Sequence, residues 1–396
     1  MTGREDPKQV RPDFLLNPLA PALDAGSPSL ALAGGPLRFT HLSITLFSAH
    51  AAPSMVVSAA ELGAYREGLD GPQRASFDHR LDLLTTARPP MPLAGRSFPL
   101  AFHRPLIMGI VNVTPDSFSD GGKFYHVDQA IAQAHALMAA GADLVDIGGE
   151  STRPGAKPVW PEEERRRIIP VIEGLAGSGA VISVDTRRAE VMAAALQAGA
   201  QIINDVSALS YDDQSLDLVR EADVPVILMH ALGEPATMQD DPRYGDVLFD
   251  VYRWLDARIR LCIDHGINAG RLLIDPGIGF GKSLRHNLDL INGLAAFHAL
   301  GVPLLLGVSR KRFIGALSRE EPADQRLPGS LAAGLMGWSR GVHILRVHDV
   351  GETAQALRVY QGLSDSALLG LAMQSGIKDQ QGRESDSFQG NGTGTR

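Results

Sequence analysis

The chain reads as a (β/α)8 TIM barrel with an N-terminal appended module and a disordered C-terminal tail. Three observations predict it: eight short apolar runs, amphipathic helical patterns between them, and a polar or ionisable residue at or just beyond the end of each run. The runs are Leu106–Val111, Leu144–Ile147, Val181–Val184, Ile202–Ile203, Val226–Met229, Leu272–Ile274, Leu304–Val308 and Ile344–Val347. Short runs lacking polar alternation suit parallel strands covered on both faces. Eight βα units in about 260 residues match the usual size of such a barrel. A doubly wound open sheet is the alternative, disfavoured by the strand count and by the lack of a dinucleotide fingerprint.

Residues 1–91 stand apart from this rhythm as a partly ordered module of no legible role. Pro and Gly punctuate the first 36 residues. Leu37–Phe47 then reads as a strand whose alternation slips near His41. Ser58 with Glu61 offers a capping box for a short helix, and Gln73–Thr86 reads as a second helix. The barrel is expected over 92–363. It opens with Leu93–Ala101, a hairpin turning at Gly95 that suits a plug for the barrel base. Its helices include Val127–Ala140, Pro161–Leu175 and Asp246–His265. The tail, 374–396, is Gly, Ser, Asp and Gln with too little apolar content to fold.

Composition excludes several classes. The 396 residues carry a net charge of −8, which argues against nucleic acid or an anionic membrane as partner. One cysteine, Cys262, rules out a disulfide framework and a thiolate metal cluster, as expected of a cytoplasmic protein. Met1 to Leu15 is polar and charged, unlike a secretory signal, and no apolar run approaches the ~20 residues of a spanning helix.

In a barrel of this type the reacting groups stand at the C-terminal ends of the strands. Those positions hold Asn112; Asp146; Asp185; Asn204 and Asp205; Met229 and His230; Asp275; Ser309, Arg310 and Lys311; and Arg346 with His348. Singly, each has a plain structural reading: Asp146 as a turn acid before Gly148-Gly149, Asp185-Thr186 or Asn204-Asp205 as a helix cap. Their recurrence in register does not. Asp146, Asp185, Asn204 and Asp275 crowd acids and an amide into one pocket, which is costly unless a ligand brings several donors. A flat heterocycle with an amidine-like edge does so, and Lys311 suits its carbonyl edge. Arg346, His348, Arg153 and the Asn112 amide suit phosphate oxygens. Ser309 reads as the opening of a helix whose free N–H groups favour a carboxylate.

Two other motifs fail. Gly277–Ser283 resembles a phosphate-cradling loop but has Pro276 where Gly is needed, and Lys282 stands where a dinucleotide motif needs its third Gly. It suits a tight turn bringing the backbone close to a ligand near Phe280. The 12 histidines form no His-Glu-x-x-His, and Gly-x-Ser-x-Gly is absent.

The segments Met108–Gly122, Asp146–Gly155, Ser183-Val184-Asp185-Thr186, Ile203-Asn204-Asp205, Leu228-Met229-His230, Asp275-Pro276-Gly277, Ser309-Arg310-Lys311 and Arg346–Val350 resemble, in order, the motifs of dihydropteroate synthases, over about residues 92–363. The resemblance implies an SN1-like condensation of 6-hydroxymethyl-7,8-dihydropterin diphosphate with p-aminobenzoate, giving 7,8-dihydropteroate and pyrophosphate for folate synthesis. It implies a pterin site of Asp146, Asp185, Asn204, Met229, Asp275, Phe280 and Lys311. Diphosphate would meet Asn112, Thr152, Arg153, Arg346 and His348, with Mg2+ on Asn112. For p-aminobenzoate it implies Phe118, Thr152, Pro154 and Ser309, and sulfonamide sensitivity. Asp120 joins Asn112, Arg153, Lys311, Arg346 and His348 as catalytic groups, with Thr114–Tyr125 and Ser151–Pro161 as mobile loops and a homodimer as the assembly. Ile278 departs from the family, which often has an aromatic there, and so does the long N-terminal module. Pterin-dependent corrinoid methyltransferases share the acids and Asn204 but handle no diphosphate, so Ser309-Arg310-Lys311 and Arg346-x-His348 separate them from this chain. A non-catalytic paralogue would carry damaged loops or anion ligands, and none is seen.

Overall fold

The structure is a computed structural model describing residues 13–22, 27–47, 54–113, 123–150, 159–233 and 237–364. The tail expected over 374–396 lies outside them. The amino-terminal strands are β1 (Asp13–Pro21), β2 (Leu30–Ala31), β3 (Arg38–Phe47) and β4 (Met55–Ser58), followed by α1 (Leu62–Glu67) and α2 (Gly71–Thr85). They form an antiparallel sheet in the order β1-β3-β2, with β4 also on β3. The sequence reading missed β1 because of Pro18 and Pro21. Among the described residues its one strand neighbour is β3, and an edge strand tolerates a residue without an N–H. The slip in β3 is real: Phe39 and then Leu42 and Ile44 are buried. The capping box at Ser58 needs correction. Ser58 Oγ donates to the Glu61 carboxylate at 2.6 Å, but α1 begins only after Glu61. The box instead forms at α2, between Asp70 and Gln73.

This sheet packs on the flank of the barrel and shares its core. Phe14 meets Phe77 edge-on at 5.5 Å, and Phe47 meets Phe249 at 4.4 Å. Buried Arg80 donates to Asp13 at 2.7 and 2.9 Å, to Asp256 at 3.0 Å and to the Ala299 carbonyl at 3.1 Å. Arg88 donates to the His298 carbonyl at 2.6 Å. Each guanidinium carries its charge inside because acceptors from both parts surround it.

The barrel strands are β5 (Leu106–Asn112), β6 (Leu144–Gly148), β7 (Ile182–Asp185), β8 (Ile202–Asp205), β9 (Val226–Met229), β10 (Leu272–Asp275), β11 (Leu305–Leu306) and β12 (Ile344–Val347). They are parallel, in the order β10-β9-β8-β7-β6-β5-β12-β11, and a bridge between Ile274 and Leu304 closes the ring. The strand expected over Leu304–Val308 is shorter because Val308 to Lys311 turns at once, Lys311 N bonding to the Val308 carbonyl. Helices follow the strands: α3 (Lys123–Ala140), α4 (Pro161–Leu175), α5 (Ala189–Ala198), α6 (Ser215–Ala222), α7 (Val247–Asp264), α8 (Leu284–Asn292), α9 (Arg312–Leu317), α10 (Leu327–Ser339) and α11 (350–364). Asp246 caps α7 through the Phe249 N–H, and Pro161 opens α4, where its missing N–H costs nothing. Among the described residues no helix is long and apolar enough to cross a membrane.

Alternation along the strands sorts the core into two clusters. Val145, Ile147, Val184, Ile203, Leu228, Ile274, Leu306 and Leu345 belong to the larger one, with the helices. Met108, Leu144, Ile202, Ile227, Leu273, Leu305 and Ile344 form the smaller one, inside the ring at its base, with Met91, Leu93 and Leu100 closing it from below. The plug is placed as the sequence suggests, but its pairing is a single bridge, Met91 to Leu100.

Candidate active site

Because side chains alternate along a strand, the residue two places beyond each base-layer side chain points into the same interior, one layer nearer the C-terminal end. From Leu144, Ile202, Ile227, Leu273, Leu305 and Ile344 that step reaches Asp146, Asn204, Met229, Asp275, Gly307 and Arg346. The apolar base thus changes into a polar ring within one pleat. The next step gives Gly148, beside Asp185 and Asn112 in the register, and Ser309 and His348 at the rim.

Arg346 organises this ring. Its Nε donates to Asp146 at 2.7 Å and its Nη2 to Asp185 at 2.8 Å. Asn204 donates to the same Asp146 oxygen at 2.9 Å. The other oxygen, Asp146 Oδ1, is buried and has no hydrogen-bond partner among the described residues. The sequence suggests a pocket with acids on one side and Arg346 on the other. In the structure Arg346 sits between the acids. Burial raises the Asp185 carboxyl above its ordinary range, against the Arg346 charge, with Asp146 adding repulsion. Burial also lowers Arg346, but the two carboxylates outweigh that and hold it above its usual value.

Asp275 stands across the ring. Burial raises its carboxyl, while the Lys311 charge and a 2.7 Å bond from the Gly277 N–H oppose that. Lys311 donates to the Ile278 carbonyl, and its ammonium lies 4.6 Å from the centroid of the Phe280 ring. Burial lowers Lys311 to about 8. Gly307 leaves the space between these groups open: a Cβ there would lie 3.8 Å from Asp275 Oδ2 and from Lys311 Nζ. The Gly277–Ser283 turn lies close to backbone, since a Cβ on Gly277 would fall 1.9 Å from the His230 carbonyl oxygen.

At the rim, Ser309 Oγ pairs with His348 Nδ1 at 3.0 Å and accepts the His348 N–H at 3.2 Å. Ser309 does not open a helix. Arg310 takes a left-handed φ of 59°, and α9 starts at Arg312 with Lys311 as its cap. Arg310 forms a two-bond pair with Asp349, tying the ends of β11 and β12 together. Asp205 serves its own turn: it accepts from Ser207 N at 2.7 Å, Ser207 Oγ at 2.6 Å and Leu209 N at 2.8 Å. Of the residues proposed for the site, Asn112, Asp146, Asp185, Asn204, Met229, Asp275, Phe280, Ser309, Lys311, Arg346 and His348 lie at the C-terminal end of the barrel. Phe118, Asp120, Thr152, Arg153 and Pro154 lie outside the described residues.

One network went unseen in the sequence. Glu150 accepts from Arg188 at 3.0 Å on each oxygen and from the Val159 N–H at 3.0 Å, and Arg188 also pairs with fully buried Glu164. Its members are up to 38 residues apart, so no local pattern announces it.

The family model for pterin binding enzymes matches residues 108–348. A dihydropteroate synthase of Escherichia coli (strain K12) is 47% identical over 272 residues, covering 68% of this chain and 96% of that protein. The structure of Xanthomonas albilineans dihydropteroate synthase with 4-aminobenzoic acid superposes with a TM-score of 0.66 at 51% identity, covering 70% of this chain and 99% of that one. The same enzyme in complex with 7,8-dihydropteroate gives a TM-score of 0.64 at 48% identity, with the same coverage of 70% and 99%. About a third of this chain therefore has no counterpart in these proteins. With a barrel that is shared almost end to end and a polar ring at the strand tips, the chain belongs to the dihydropteroate synthases.

Proposed function

We propose that this barrel joins 6-hydroxymethyl-7,8-dihydropterin diphosphate to p-aminobenzoate, releasing pyrophosphate and forming 7,8-dihydropteroate. The observation that carries this reading is the interior ring of Asp146, Asn204, Asp275, Lys311 and Arg346, with Asp146 Oδ1 a buried acceptor that has no partner among the described residues. A pterin edge with adjacent N–H donors satisfies carboxylates that are otherwise held together by one guanidinium, and Lys311 answers the carbonyl edge. Met229 and Phe280 supply apolar walls.

The chemistry needs no covalent nucleophile. The C–O bond to the departing diphosphate breaks, the pterin methylene carries the positive charge, and the aniline nitrogen then forms the new C–N bond and loses a proton to solvent. Arg346 and His348, with Asn112, stabilise the leaving anion, and Ser309 anchors the p-aminobenzoate carboxylate. Among the described residues no cluster of His, Cys, Asp or Glu forms a cage for a metal. Mg2+ commonly takes one or two protein oxygens and completes its shell with phosphate and water. Asn112 would supply one amide oxygen, and the ion would add positive charge to the leaving group. The segments holding Phe118, Asp120, Thr152, Arg153 and Pro154 are assigned to the same reaction by family resemblance. A cytoplasmic homodimer is the assembly this reading implies.

The test is pyrophosphate release from the pterin diphosphate, with and without p-aminobenzoate, in Mg2+. Release that requires p-aminobenzoate and yields dihydropteroate, with sulfonamides competing against p-aminobenzoate, is the expected result. Pterin binding without turnover in the folded protein would mark a non-catalytic relative instead.

A further inference from the structure

Lys282 is only 2% exposed and lies behind the ring. Its Nζ reaches His230 Nδ1 at 2.9 Å, the Phe280 carbonyl at 2.9 Å and the His230 carbonyl at 3.3 Å. These three contacts from one Nζ join the segment after β9 to the turn after β10. Burial first, and the Lys282 charge second, hold His230 far below its ordinary pKa, so the ring is neutral. The two segments joined in this way carry the pterin walls: His230 follows Met229, and Phe280 stands under Lys311. The His230 N–H also donates to the Asp275 carbonyl at 3.0 Å.

We propose that Lys282 is a positioning residue for the pterin subsite, clipping the segment after β9 to the turn after β10. It touches no substrate. The proposal rests on the reading of Asp275 as the carboxylate that holds the pterin. The charged groups around that carboxylate are Lys311, Lys282 and Arg346; around Lys282, burial pulls the amine well below its ordinary range, the Asp275 charge opposes that and Lys311 adds to it. The His230 ring meets the Trp254 ring at 5.0 Å and the Tyr244 ring at 6.1 Å, whose hydroxyl donates to the Gly281 carbonyl. Burial pushes Asp275 upward and Lys282 is one of the cations holding it down, so removing the ammonium raises it further. The ionised carboxylate is then lost at a higher pH, and pterin binding with it.

Lys282→Met in the full-length enzyme is expected to raise KM for the pterin diphosphate roughly 10- to 100-fold while leaving KM for p-aminobenzoate within about twofold. The acid limb of kcat/KM for the pterin should move up by about one pH unit. Lys282→Gln keeps N–H donors without charge and gives a second chance if the Met variant does not fold. It should move the acid limb as far with a smaller rise in KM. Either folded variant with a wild-type pterin KM and an unmoved acid limb overturns the proposal. So does a loss confined to thermal stability. Asp275→Asn run alongside separates the two levels: an unchanged pterin KM in that variant overturns the subsite reading itself, while weakened binding there and normal binding in the Lys282 variants overturns only the role of Lys282.

Discussion

The two ends of the barrel are made by the same strands and, within each strand, by the same face. At the base, Leu144, Ile202, Ile227, Leu273, Leu305 and Ile344 pack against Met91, Leu93 and Leu100. One pleat higher, the positions that follow hold acids, an amide, a guanidinium, a methionine and a glycine. The base is closed by dispersion and the exclusion of water, and it satisfies itself. The polar layer does not: it places Asp146, Asp185 and Asp275 around Lys311 and Arg346 and leaves one buried carboxylate oxygen without a partner among the described residues. The difference teaches that rigidity and chemistry are assigned to separate layers, so damage to one should be readable separately from damage to the other.

Arg346→Ala should break that separation most severely. It removes the donor shared by Asp146 and Asp185, and kcat/KM should fall roughly 100- to 1000-fold, as for loss of a group that stabilises developing charge. Removing one partner of so buried a cluster typically costs about 3–5 kcal/mol, which urea denaturation would register. Wild-type kinetics in the folded variant would remove Arg346 from the reaction. Leu273→Ala, two residues before Asp275, sharpens the contrast from the other side. Stability should drop by about 2–5 kcal/mol, with kcat/KM within about twofold of wild type at a temperature where the variant is folded. A large kinetic loss there would show that the layers are not independent.

A smaller effect is expected from pH. Lys311 is lowered by burial to about 8, so its ammonium is present below that value and lost as pH rises through it. Affinity for the pterin diphosphate, measured by calorimetry, should therefore weaken above about pH 8, and Lys311→Met should abolish that dependence. Smallest of all is Gly307→Ala. The added methyl meets its neighbours at ordinary contact distances, so thermal stability should not change, while KM for the pterin rises a few-fold because the open space beside Asp275 and Lys311 is narrowed. An unchanged KM would place the pterin elsewhere.

The division between the layers was legible because each strand is a short apolar run stopped by a polar residue, which gives both the buried strand and the position of its tip. Asp146, Asp275 and Arg346 were found in that way. The partnership of Arg346 with Asp146 and Asp185 was not, because those residues lie 200 and 161 positions away in the chain and only closure of the barrel brings them together. Glu150 with Arg188 and Glu164, and Lys282 with His230, are likewise hidden, since each set meets only when neighbouring βα units pack side by side. Local signals misled in two places. Ser58 and Glu61 do bond, but to each other through the carboxylate and ahead of the helix. Pro18 disguised a strand that only an edge position permits.

The two-residue period inside the barrel also bears on how this protein can change over generations. Loops between its strands and helices can lengthen or shorten, and a sheet can be added ahead of the first barrel strand, without altering which side chains face inward. A strand has no such freedom. Deleting a single codon within β12 would exchange the inward and outward sets beyond that point, turning Arg346 toward the helices and Val347 into the pocket. The heritable variation open to the catalytic layer is therefore substitution in place, and a folded descendant should keep its strand lengths even where little of its surface is retained.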